Sequence, residues 1–379
     1  MTRTIVDINI LQTVPPSNLN RDDTGSPKSA VYGGTRRARV SSQAWKRPTR
    51  LLFNSVLDGS QLGVRTKRVV ELLGERILTR SPEISAERAQ ELAGLAFTAA
   101  GIKLSAPRRS TPESPLPDES GYLLFLSSRQ LDQVADMCIE ADRADDPKAQ
   151  LKGDGVKKAL TEGNSIDLAL FGRMVADSSD LNVDAACQVA HAISVHPVDN
   201  EFDYFTAVDD HKNADSEEDA GAGMIGTVEF NASTLYRYAT VDVDALQRNL
   251  GDAKAAVRAV EAFVRAFTTS MPTGKQNTFA NRTLPNAVVI SIRNTQPVNL
   301  AGAFEEAITE QPRLRLASER LADEAQQIDA AYGTTPVSTW VVRTGAATEA
   351  LDALGERVSL DDAVTRLGSA VAERLEGQS

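Results

Sequence analysis

A chain of 379 residues, 41% hydrophobic and 25% charged, is long enough for two or three domains and has the composition of an ordinary globular protein. Its formal net charge of −11 excludes nonspecific coating of nucleic acid. It does not exclude a local groove, because charges more than about 8–10 Å apart are largely screened.

Two cysteines, Cys138 and Cys187, exclude a disulfide framework, and both sit in apolar surroundings that suit buried thiols in a reducing cytoplasm. No run approaches the ~18 apolar residues of a membrane span. The N-terminal stretch MTRTIVDINILQTV lacks the apolar core and cleavage site of a signal peptide. A cytoplasmic protein without membrane contact is expected, and no cofactor is implied.

In chain order, Thr4 to Val14 alternates apolar and polar residues and predicts a half-buried strand. A turn-rich stretch from Pro15 to Gly34 leads into GGTRRARVSSQAWKRPTR, Gly33 to Arg50. Six cations (Arg36, Arg37, Arg39, Lys46, Arg47 and Arg50) stand there without one acidic residue. Ser41 and Ser42 offer N-caps to a helix that sets Gln43, Lys46 and Arg50 on one face, while Pro48 threatens to kink it. Leu62 to Leu78 and Ser85 to Thr98 predict amphipathic helices, Ala106 to Gly121 a loop, and Tyr122 to Leu126 a short strand. Helices follow at Ser127 to Ala141 and Lys148 to Thr161, a strand at Ile166 to Phe171, and a helix at Val183 to Ile193. The segment from His196 to Gly223 carries FDYF and then an acidic, weakly hydrophobic run. Gly226 to Ala239 alternates as a strand, and Val243 to Phe267 predicts one helix. A buried strand at Pro285 to Arg293, a helix at Leu300 to Thr309, a strand at Thr335 to Arg343 and closing helices complete an α/β or α+β chain without internal repeats.

Three motifs bear on function. The basic block combines phosphate-neutralising cations with Ser41 and Gln43 as neutral hydrogen-bonding partners, the set that a nucleic-acid backbone calls for. The aromatics of FDYFTAVDD, Phe202 to Asp210, can anchor a loop or stack on bases. Arg173 and Met174, in LFGRM, follow the predicted strand, where Met174 reads by default as core. GAGMIG, Gly221 to Gly226, lacks the strand–turn–helix setting of a dinucleotide site. Asp209, Asp210 and His211 supply the one conceivable metal-dependent phosphodiesterase cluster, so a metal-dependent RNA-processing endonuclease stands as the alternative reading. A protein-only filament is a third.

LNRDD (19–23), YGGTRRARVSSQAWKR (32–47), LFGRM (170–174), LNVDAACQVAHAISVHPVDNEFDYFTAVDD (181–210) and EFNASTLYRYA (229–239) together resemble the CasC-type backbone subunit of the type I-E CRISPR surveillance complex, Cascade. The order of elements agrees as far as about residue 310. The resemblance implies an α+β fold with an RRM-like (ferredoxin-like) palm, an inserted helical finger and a protruding thumb hairpin. Palm would be 1–57, 163–194 and, with C-terminal helices, 228–379; finger 58–162; thumb 195–227. It further implies a non-catalytic subunit, binding no metal, that polymerises along the CRISPR RNA. Its partners would be that guide RNA, target DNA through the guide, further copies of itself, other Cascade subunits and the recruited nuclease-helicase. Carried over residue by residue, Arg21, Lys28, Ser41, Gln43, Lys46, Arg47 and Arg50 contact the guide backbone. Met174 lies against bases, Arg173 beside it binds the RNA, and Tyr204, Phe205, Thr206 and Val208 meet a displaced nucleotide. Lys275, in MPTGKQNTFA, joins them. Arg36, Arg37 and Arg39 are left to a neighbouring subunit or to DNA.

Overall fold

Ile5–Ser17 is a strand, as its alternation predicts, but it is not half-buried. In the computed structural model, which describes residues 3–111, 113–175, 178–207 and 224–377, every residue from Ile5 to Gln12 is buried. The polar positions of the alternation face an internal polar layer in place of solvent. The Asp7 carboxylate accepts from the Tyr238 hydroxyl and from Arg293 Nε, Asn9 accepts from Tyr236, and Gln12 accepts from Arg237. These carboxylate, amide and hydroxyl groups are thereby partnered, which offsets the cost of burying them.

This strand is central in a mixed sheet. Ala287–Arg293 pairs with it antiparallel, with Ile5 opposite Arg293 and Leu11 opposite Ala287. Ser338–Arg343 and Glu356–Arg357 lie beyond that neighbour. On the other side come Met224–Asp242, Ala192–Ser194, Thr35–Val40 and Ser29–Tyr32. The alternating segment predicted at Gly226 to Ala239 is the core of Met224–Asp242.

The chain divides into two compact units. The first comprises Met1–Leu51, Val189–Thr240 and Phe263–Leu367. Its core joins Leu11, Tyr236, Val289 and Val341 of the sheet to Phe304 and to Ala317, Leu321 and Ala325 of the helix Arg313–Tyr332. The second comprises Leu52–Gln188, Val241–Ala262 and Gly368–Ser379. Helices Val69–Arg80, Ala86–Ala99, Ser128–Asp142 and Asp154–Thr161 enclose its core of Leu73, Ile77, Leu92, Phe97, Leu131 and Val134. Ser127 and Gln130 form a reciprocal capping box, which fixes the start of Ser128–Asp142 close to where the sequence placed it.

Several predicted elements differ. Ile166–Phe171 is a helix, not a strand; a six-residue segment, apolar but for Asp167, is too short for its periodicity to distinguish the two. Val183 to Ile193 is not a helix. It supplies the strands Cys187–Val189 and Ala192–Ser194, the latter pairing with both Leu235–Tyr236 and Arg39–Val40. Sheet pairing on both sides overrides the local helical preference. Leu62 to Leu78 begins as a strand, Gly63–Thr66, and turns helical only at Val69. Lys148 to Thr161 is two helices, Pro147–Leu151 and Asp154–Thr161. Val243 to Phe267 is likewise split, into Val243–Leu250 and Ala253–Thr269, because Gly251 adopts a left-handed cap at φ 68°. Leu300 to Thr309 holds only a 3-10 turn, Leu300–Phe304. The twenty-residue helix Arg313–Tyr332 was not predicted.

Candidate nucleic-acid interface

The basic block divides into a hairpin and a helix. Ser29–Tyr32 and Thr35–Val40 pair across Gly33 and Gly34, both at positive φ. A Cβ at Gly33 would fall 1.6 Å from the Glu305 carbonyl oxygen, so no other residue fits this turn without moving backbone. Arg37, two residues past the turn strand's start, is fully buried. Its guanidinium donates to the carbonyls of Ser194, Phe304 and Glu305 and to Thr35 Oγ1. The expectation that Arg37 faces a neighbouring subunit or DNA is therefore corrected: it is an internal tie. Arg36 is exposed and Arg39 half-buried.

The helix Ser42–Leu52 runs through Pro48 without interruption. The Ser41 carbonyl accepts the first helical bonds, from Ala44 and Trp45 N–H. Only Trp45 and Thr49 are buried, one turn apart, while Gln43 and Arg47 are exposed and Lys46 and Arg50 half-buried. At 100° per residue, Gln43, Lys46, Arg47 and Arg50 share the face opposite Trp45 and Thr49. That buried face rests on a cation. The Arg237 guanidinium stacks 3.7 Å from the Trp45 ring and 4.6 Å from that of Phe267, and donates to Gln12 Oε1. Burial brings its pKa down to about 9, which leaves it charged at neutral pH. Thr49 Oγ1 donates to the Trp45 carbonyl at 2.9 Å and lies 3.1 Å from Ser270 Oγ, which fixes the helix further.

The loop that follows the first strand is tied to this helix. Asn20 Oδ1 accepts from Ser41 N–H at 2.9 Å, and the Asn20 carbonyl accepts from Lys28 N–H at 2.8 Å. Asp22 turns inward on its own loop, accepting from Thr24 and Ser26; the Thr24 hydroxyl is the main reason that its pKa lies below the ordinary carboxylate value. Gly274 packs against Leu19, since a Cβ there would come within 2.3 Å of the Leu19 carbonyl oxygen. Lys275, left-handed at φ 49°, follows directly. Leu19 to Gly25 and Gly274 line an open cleft of about 520 Å³. The structure thus brings the segments carrying Arg21, Lys28, Ser41 and Lys275 together around the basic helix. Ser41 itself is 5% exposed, so its backbone and hydroxyl are reachable only at the rim.

The FDYF segment forms a two-stranded ribbon, Glu201–Ala207 paired antiparallel with the start of Met224–Asp242. Phe202, Tyr204 and Thr206 alternate onto one face, across from Glu229, Thr227 and Ile225. Phe202, Tyr204 and Ile225 are 68%, 61% and 62% exposed. Phe205 points the other way and lies over Gly226, whose missing Cβ would sit 2.5 Å from the ring. Val208 lies outside the described residues, as do Asp209, Asp210 and His211 of the alternative metal cluster. Among the described residues no group of three His, Cys, Asp or Glu is placed to hold a metal ion.

LFGRM belongs to the second unit. Arg173 is buried and donates to the carbonyls of Leu181, Phe125 and Leu160, and burial brings its pKa down to about 10. Its assignment to RNA is corrected: the guanidinium is consumed by internal acceptors. Met174, next along, is 84% exposed and is not core. No sequence signal separated the internal arginines, Arg37, Arg173 and Arg237, from the outward ones, because each becomes buried through partners distant in the chain.

The family of CT1975-like proteins matches residues 6–366. A solved chain described as a CRISPR RNA-guided surveillance complex, pre-nicking, is 35% identical, with a TM-score of 0.81 over 96% of this chain and 100% of that one. Another, described as a CRISPR RNA-guided surveillance complex, is 31% identical, with a TM-score of 0.72 over 96% of this chain and 99% of the other. No curated protein matches. These findings agree with the resemblance read from the motifs, and the chain belongs to the family of CT1975-like proteins.

Proposed function

We propose that this protein is a non-catalytic CRISPR RNA-binding subunit of the CasC type, which polymerises along the guide RNA as the backbone of a type I-E Cascade complex. In this reading the first unit supplies an RRM-like palm and the ribbon Glu201–Ala207 its thumb, while the helices of the second unit are the finger. The observation that carries it is the helix Ser42–Leu52, which turns Gln43, Lys46, Arg47 and Arg50 outward over a buried Trp45–Arg237 stack. Such a surface reads phosphates and backbone shape; base pairing by the guide then reads the target, a division of labour known from other RNA-guided systems. Arg21, Lys28 and Lys275 extend the phosphate track. Tyr204 and Thr206 on one face of the ribbon, and Phe205 on the other, border the displaced nucleotide, and Met174 lies against bases.

Replacing Lys46 tests the reading. Lys46→Ala is expected to weaken RNA binding to the same extent for every spacer sequence and to flatten the log K against log salt slope by about 0.7. Filter binding of several guide sequences over a salt series measures both. A loss confined to some spacers would refute the assignment.

A further inference from the structure

Arg39 pairs with Ile193 and Val40 with Ala192. Continuing this antiparallel register by one step brings His191 level with Ser41, on the sheet face that Arg39 also occupies. Arg39 Nη1 lies 3.0 Å from His191 Nδ1, and its Nε donates to the Ser29 carbonyl at 3.3 Å. A guanidinium can only donate, so Nδ1 is the acceptor and the neutral ring carries its proton on Nε2. Arg39 N–H donates to the Lys28 carbonyl at 2.9 Å, which makes Lys28 the next residue across. His191 is exposed, and Lys28 and Arg39 are half-buried. Among the described residues none of the three has a carboxylate partner. Three nitrogenous side chains with no carboxylate partner among the described residues, beside the N-terminus of the basic helix, make a surface suited to an anion.

We propose that Lys28, Arg39 and His191 form a phosphate subsite beside Ser41, and that His191 engages its phosphate as the imidazolium. The step is a proton uptake. Arg39 Nη1 releases Nδ1, the ring takes one proton from solvent at that nitrogen, and both cations turn to the phosphate oxygens between them. No covalent bond changes. The charged groups facing His191 are Arg39, from the adjacent strand, and Lys28 beyond it. Partial burial first, then these two cations, hold its pKa below the ordinary histidine value. A phosphate reverses the cationic repulsion and raises that pKa, so binding takes up a proton and strengthens as pH falls.

The inference rests on the RNA-binding reading of this face, and the test separates the two. The probe is a Cy3-labelled uridine homopolymer, whose bases take up no proton near neutrality, bound to the full chain from about pH 8 to about pH 6. Wild-type affinity is expected to rise as pH falls, by at most about tenfold per pH unit for one proton. His191→Gln should lose that rise, stay within about twofold of wild type at the alkaline end, and show a salt slope shallower by about 0.7 at the acidic end only. A purely structural role would not give a pH-dependent difference in salt slope. Unchanged pH dependence in His191→Gln, with Lys46→Ala still impaired, overturns the subsite and leaves the RNA-binding reading standing. Absence of RNA binding by the wild type, with Lys46→Ala indistinguishable from it, overturns both.

Discussion

Along the helices of the second unit, several surface arginines meet carboxylates. Arg80 Nε lies 2.7 Å from Asp136, Arg88 lies 2.7 Å from both Asp142 and Glu91, and Arg76 lies 3.3 Å from Asp132. In the first unit, Arg21, Lys28 and Arg39 have no carboxylate partner among the described residues, although the chain as a whole is acidic. A cation already paired must give up its partner before it can neutralise a phosphate, whereas an unpaired one exchanges only water and salt ions. The first unit also holds paired surface arginines, Arg265 with Asp361 and Arg366 with Glu356, so it is the group Arg21, Lys28 and Arg39, and not the whole unit, that stands apart by its lack of carboxylate partners. Arg237 belongs to a third condition, a cation with neither carboxylate nor solvent, held by aromatic rings and neutral acceptors.

This comparison can be broken at each condition. The largest effect is expected at Arg237. Arg237→Ala removes the support of Trp45 and strands Gln12 and the Phe267 carbonyl, which should cost about 3 kcal/mol or more of stability. Urea unfolding reads this as a lower midpoint at unchanged m-value. A loss of RNA affinity without a loss of stability would mean that Arg237 is not internal after all. Next comes Tyr204→Ala on the exposed face of the ribbon. It should weaken RNA binding by about 1–3 kcal/mol if the ring stacks on a base, while leaving the urea midpoint in place. Unchanged affinity would reduce the ribbon to a protein contact. The smallest effect is expected from Arg80→Ala, under about 1 kcal/mol of stability for an exposed pair, with RNA affinity unaltered. If it weakened RNA binding as much as Lys46→Ala, the contrast between paired and unpaired cations would fail.

Local signals read well from the sequence where the element depends on its own residues. Ser127 and Gln130 announce a helix start, Gly226 to Ala239 alternates because it is a strand, and Trp45 stands where the helix needs an apolar residue. What could not be read depends on distant partners. His191 looks solitary in sequence because its neighbour Arg39 arrives on another strand. Arg37 and Arg47 are equivalent letters in one basic run, yet one is buried by Phe304 and Glu305 and the other is exposed. Ala192–Ser194 sits between two strands that are far apart in the chain, Thr35–Val40 and Met224–Asp242, and no local propensity encodes that. The helix Arg313–Tyr332 is hard to read because charged and small residues dilute its apolar stripe: of the four hydrophobic residues buried in the core, Ala317, Leu321, Ala322 and Ala325, three are alanines.

Phe205 and Gly226 give the ribbon a front and a back. A two-stranded ribbon ordinarily offers the same kind of surface on either side, and could be turned over without consequence. Here one ring has folded down into the space of a missing side chain, so that side is upholstered by its own residue. The reverse is left bare, with Phe202, Tyr204 and Ile225 standing clear. Tyr204 and Phe205 are adjacent aromatics that are not interchangeable: exchanging which of them opposes the glycine would reverse the handedness of everything the ribbon touches.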